Sequence, residues 1–177
     1  MSIFLIIVSC VLWLSAIALL WGRQIAAPIA SFLGLLCISF ARSNGYPLLP
    51  VNGTILTGWL CMSLVVMFIV MLQPGIVRAQ TRGMGYMVGG ALTGLAVGLL
   101  AFTFRPGISL YYGIMIVSVI IGIFIGFLMY TRTPDGRPVA PGTGNFFRYL
   151  LAKGFPTAIT VMQPGVVLVL TIALNTI

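Results

Sequence analysis

Acid is almost absent from this chain. Its 177 residues include one carboxylate side chain, Asp135, no glutamate and no histidine, against nine lysine and arginine residues, for a formal charge of +8. A lone acid cannot form the carboxylate pair of general acid–base hydrolysis, and without histidine neither a Ser-His nor a Cys-His unit can be assembled. The single lysine, Lys153, borders a hydrophobic run, where it is expected to anchor a membrane edge rather than form a Schiff base. The chain is therefore not expected to be an enzyme. Cys10, Cys37 and Cys61 lie far apart in apolar stretches with no CxxC spacing, so neither a metal nor a cofactor is expected. No acid falls within an apolar stretch, which disfavours proton- or sodium-coupled carriage and leaves passive or anion-favouring permeation as the transport chemistry open to it.

What the chain has in abundance is apolar surface. It is 60% hydrophobic and only 6% charged, with a mean hydropathy of +1.19, too little polarity to cover a soluble domain. Crossing a hydrocarbon core of ~30 Å as helix takes roughly 17–25 apolar residues. Six runs approach this: Ile3–Gly22, Ile25–Ala41, Thr54–Leu72, Met84–Phe104, Ile108–Tyr130 and Phe155–Ile177. A closed barrel would need strands alternating apolar and polar residues, which "GIMIVSVIIGIFIGFLMY" does not do. The first run is read as a retained helix because no lysine or arginine precedes it. The expected fold is an all-α integral membrane protein of six transmembrane helices.

The cations are unevenly spread over the connections. Arg23, Arg78, Arg82, Arg132, Arg137, Arg148 and Lys153 fall in the first, third and fifth, and only Arg42 and Arg105 in the second and fourth. The positive-inside rule then places both termini outside the cytoplasm, in a membrane expected to be the bacterial inner membrane. The cations stand at span ends with no basic helix or stacking platform, so anionic lipid rather than nucleic acid is the expected partner. Arg78, Arg82, Arg148 and Lys153 are the expected headgroup contacts.

A duplication is visible in the repeated QPG. "FLGLLCISFARSNGYPLLPVNGT" at 32–54 leads to Gln73-Pro74-Gly75, and "FIGFLMYTRTPDGRPVAPGT" at 124–143 leads to Gln163-Pro164-Gly165. Both carry F-x-G-x-L, an arginine, an N-G or D-G turn, a P-V followed by G-T, and then QPG. This divides one membrane domain into residues 1–77 and 84–177. With three crossings each, the halves would lie inverted in the membrane, the arrangement of many transporters. Within 131–154, "TPDGRP" predicts a turn with Asp135 loosely paired to Arg132 or Arg137, and "NFFRYLLAKG" an interfacial helix on the cytoplasmic leaflet.

Two features invite function. Gly90, Gly94 and Gly98 share one helix face, and Gly122 and Gly126 recur in the next run, a spacing that lets helix backbones approach closely. That seam serves either packing within the chain or a homo-oligomer. Proline in a helix removes its own N–H and frees the carbonyl four residues earlier, which is Thr160 in the second QPG and Val70 in the first. The proline-broken helices then either kink with Gln163 bonding a neighbour, or line a polar path. On the second reading Gln73, Pro74, Gly75, Thr160, Gln163, Pro164 and Gly165 line the path of a small solute or ion. The competing reading is a non-catalytic structural or assembly subunit bound to other membrane subunits of a larger inner-membrane complex, such as secretion, conjugation or energy-transducing machinery.

Overall fold

The computed structural model describes residues 2–43, 46–49, 51–74, 82–100 and 107–174. Helix α1 (Ser2–Gly22) is apolar throughout and stops at glycine, and α2 (Ala27–Ser39) restarts with Pro28 in its first turn, where a missing N–H leaves no helical bond unmade. Two-residue strands β1 (Arg42–Ser43) and β2 (Tyr46–Pro47) pair antiparallel before α3 (Gly53–Leu72). That helix ends because Gln73 precedes proline and turns extended, with φ −76° and ψ 147°. Gly83, at φ +86°, admits the chain to α4 (Met84–Leu100), and α5 (Ile108–Thr131) follows. A 3-10 turn over Pro134–Val139 leads to α6 (Phe146–Tyr149), a π turn over Leu150–Gly154, and α7 (Phe155–Leu174).

The fold is all-α in character, but among the described residues four helices rather than six are long and apolar enough to cross a membrane: α1, α3, α5 and the rod Phe146–Leu174. The 13 residues of α2 span roughly 20 Å and the 17 of α4 roughly 25 Å at 1.5 Å each. The expected interfacial helix is absent as a separate element. Its residues run through the π turn into α7, because Phe127 at the end of α5 gathers Phe146 and Tyr149 at ring separations of 5.0 and 5.5 Å. Nor does Pro164 break its helix, which continues from Phe155 to Leu174.

Helix α7 is the axis of the bundle, touching α1, α2, α3, α4 and α5. Within the most apolar stretch of Phe146–Leu174, 67% of residues are buried by the protein itself, against 17% in α1 and in α3. The two QPG elements therefore occupy unlike places: Gln73 and Pro74 follow the end of a peripheral helix, and Gln163 and Pro164 lie inside the central one. Helices α4 and α5 form the tightest pair. A Cβ on Gly90 would meet the Gly122 carbonyl, one on Gly94 the Ser118 carbonyl, and one on Gly126 the Tyr86 carbonyl. Gly98 approaches Met115, where a Cβ would stand 2.9 Å from the Cα. These glycines meet within the chain, so that face is occupied without a second copy.

Candidate functional site

Polar side chains gather in the middle of the bundle along α7. Pro164 cannot donate to the Thr160 carbonyl, and the hydroxyl of Ser31 on α2 does so instead, at 2.9 Å. The Ser31 carbonyl in turn accepts the Trp13 indole N–H from α1 at 3.1 Å, with Gly34 leaving room for that ring. One turn along α7, the Gln163 amide Nε2 donates to Ser63 Oγ on α3 at 2.9 Å, and Ser63 donates to the Trp59 carbonyl at 2.8 Å. Helices α2 and α3 are thus tied to α7 by hydrogen bonds, and α1 to α2, in a region where apolar burial alone gives helices little reason to associate.

The cluster is not fully satisfied. Ser31, Ser63, Thr157, Thr160 and Gln163 are all buried, yet Thr160 Oγ1 and Gln163 Oε1 have no hydrogen-bond partner among the described residues. They lie three residues apart on one face of the central helix, one hydroxyl and one carbonyl oxygen. The Gln24 amide and Tyr112 hydroxyl are the other buried polar groups without partners among the described residues.

The expected path residues do not all come together. Ser63 marks the level of Gln163 on α3, and Gln73 lies ten residues further on, roughly 15 Å away along the helix. Gln73 makes only a 3.5 Å approach to the Ile69 carbonyl of its own helix. Gly165 lies against Leu95 and Met115, where its lack of a side chain lets α7 approach α4 and α5. Gly75 and Arg78 lie outside the described residues.

Most of the described basic residues gather at one end. Leu20 and Ala27, which flank Arg23, pack with Met84 and Val88, and this brings the α1–α2 turn beside the start of α4. Arg82 there pairs with Asp135 at 3.2 Å, so the acid bonds across 53 residues rather than to Arg132 or Arg137, the expected neighbours. The Tyr149 hydroxyl donates to the Arg82 carbonyl, and Tyr130 stacks on Tyr149 with ring centroids 5.9 Å apart. Arg148 is exposed. Lys153 is the correction: it is fully buried, because the π turn that carries it is held among α3, α4 and α5. The aromatic cluster of Tyr86, Phe127, Tyr130, Phe146 and Tyr149 went unread in the sequence, although Phe127/Tyr130 and Phe146/Tyr149 share a three-residue helical spacing that could have signalled it.

Comparison with protein-family models, curated proteins and solved structures finds no match. The class is defined by the fold itself: several long apolar helices fit a multi-pass integral membrane protein.

Proposed function

We propose that this chain is a non-enzymatic membrane protein that moves a small donor-bearing solute past Thr160 and Gln163 of α7. The observation carrying this reading is the pair of unpartnered, fully buried oxygens on the central helix, beside groups that are otherwise bonded. A buried polar atom without a partner costs roughly 1–3 kcal/mol, and a passing ligand could supply its bond. The carbonyl oxygen of Gln163 only accepts and the Thr160 hydroxyl can do either, so neutral polyols, ureas or ammonium fit better than anions. The reading includes six crossings in two inverted halves, with α2 and α4 as the two short crossings, and the basic end on the cytoplasmic side of a bacterial inner membrane. The unlike settings of α3 and α7 make such halves structurally unequal.

The test is solute-driven shrinkage and reswelling of proteoliposomes, followed by light scattering with urea and glycerol. Thr160→Val removes the unpartnered hydroxyl and keeps the carbonyl that Ser31 bonds, so permeation should fall at least fivefold with the protein still folded. Wild-type vesicles no leakier than protein-free ones, or a Thr160→Val protein as fast as wild type, would sink the proposal.

A second reading, an assembly subunit, draws on a groove of about 360 Å³ along the outer side of the α4–α5 pair, lined by Gly85, Gly89, Thr93, Ile125 and Met129 among others. Its floor of small residues suits the close approach of a partner helix. Stoichiometric co-purification of other membrane subunits, lost on substituting Gly89→Leu, would favour this reading.

A further inference from the structure

A crevice opens between α3 and α5, with α7 as its back wall. Met62 stands on one side, Ile120 and Phe124 on the other, and Leu150, Ala158 and Met162 run along the back. It persists because α3 and α5 make little contact with each other and because Gly154 and Ala158 put no bulk on this face of the central helix. Its walls are apolar throughout and its volume is about 250 Å³. Met62, Ile120 and Phe124 are exposed at its mouth, which faces sideways, where a membrane protein meets lipid.

Length points to the occupant. From Leu150 to Met162 the crevice follows the π turn and the start of α7 for roughly 18 Å, and from Ile116 to Phe124 it follows α5 for roughly 12 Å, at about 1.5 Å per residue. One leaflet of a ~30 Å hydrocarbon core is roughly 15 Å deep, the reach of a single acyl chain. A helix about 10 Å wide displaces roughly 1,200 Å³ over the same distance, so a partner helix could only cap the crevice and would leave its floor to a narrower, chain-like occupant.

The crevice also begins at the charged end of the bundle. Arg148 lies two residues before Leu150 and Arg132 one residue past the end of α5, and both are exposed. A guanidinium meets a phosphate through two parallel hydrogen bonds. We propose that this crevice is a binding site for an anionic phospholipid, with one acyl chain between α3 and α5 and its phosphate held at the basic end by Arg148 and Arg132.

The test is native mass spectrometry of the full chain released from mild detergent, with dioleoyl phosphatidylglycerol or dioleoyl phosphatidylcholine added. One phosphatidylglycerol should stay on each chain at least tenfold more tightly than phosphatidylcholine, and Arg148→Gln should erase most of that preference. Ala158→Phe fills the crevice from the back and Ile120→Phe, at a half-exposed position, narrows it from the mouth. Each should cut retained lipid at least fivefold, and the second does not disturb the packed interior. Equal retention of the two lipids by the wild-type protein would mean an ordinary lipid shell and overturn the proposal, as would full phosphatidylglycerol retention by the two filled variants or a second protein chain bound in place of lipid.

Discussion

Two adjacent glycines in α4 should respond to the same substitution with opposite signs. At Gly90 an added methyl would overlap the Gly122 carbonyl, with the Gly126 Cα 3.3 Å away; both are backbone, and no flexible side chain can yield. Ordinary van der Waals contact begins near 3.4 Å, so α4 and α5 would have to part. Overpacking of this kind costs roughly 1–3 kcal/mol, and a clash with backbone belongs at the upper end. Alanine also removes glycine's entropic disadvantage in a helix, worth roughly 0.5–1 kcal/mol, which leaves a net loss of about 2 kcal/mol for Gly90→Ala. At Gly89 nothing lies within 4 Å, so Gly89→Ala keeps only the helical gain. For a chain of this size a kilocalorie moves the midpoint by roughly 2–4 °C, so Gly90→Ala should melt about 4–8 °C lower and Gly89→Ala about 1–4 °C higher. The assay heats detergent-solubilised protein and measures the folded fraction by size-exclusion chromatography. Equal midpoints for the two variants would show that the helices do not meet at these glycines.

Other substitutions bear on the central helix and the basic end. Ser31→Ala should cost about 0.6–2 kcal/mol, the scale of a hydrogen bond between membrane helices, and in a Pro164→Ala background that cost should largely vanish because the restored N–H can bond the Thr160 carbonyl; the same heating assay on the four proteins reads it. A double-mutant cycle of Ser63→Ala and Gln163→Leu should give a coupling of about 0.6–1.7 kcal/mol, and additive losses would place Gln163 elsewhere than on Ser63. Asp135→Asn should cost at most about 1 kcal/mol, since both partners of the Arg82 pair are well exposed, and the loss should disappear in molar salt; a larger or salt-independent effect would mean that the pair is buried.

The spans that needed only length and uniform hydropathy, α1, α3 and α5, were legible in the sequence to within a few residues. Glycine spacing likewise marked the faces that meet, though not that α4 and α5 would meet each other. The second QPG misled because a proline's effect depends on what stands beside the orphaned carbonyl. Ser31 lies 129 residues away in sequence and rescues Thr160, so that helix runs on, whereas the first QPG falls at a helix end and stops it. Lys153 misled in the same way, since a lone cation beside an apolar run anchors at the surface unless neighbouring helices enclose it, and three do. Nor could local spacing reveal that Asp135 reaches Arg82, because two helices carry the chain between them.

The helix at the middle of the bundle follows in the chain all the helices that surround it. A ribosome therefore delivers α1 to α5 to the membrane before the axis they enclose exists. During that interval the hydroxyls of Ser31 and Ser63 cannot yet meet Thr160 and Gln163, and the inner faces of the early helices have only lipid or the insertion machinery for company. When α7 enters, it closes the structure like a keystone and draws two earlier helices, α2 and α3, to itself by hydrogen bonds. Shortening the chain ahead of Phe155 removes this axis, and with it the contacts that give the surrounding helices a common orientation.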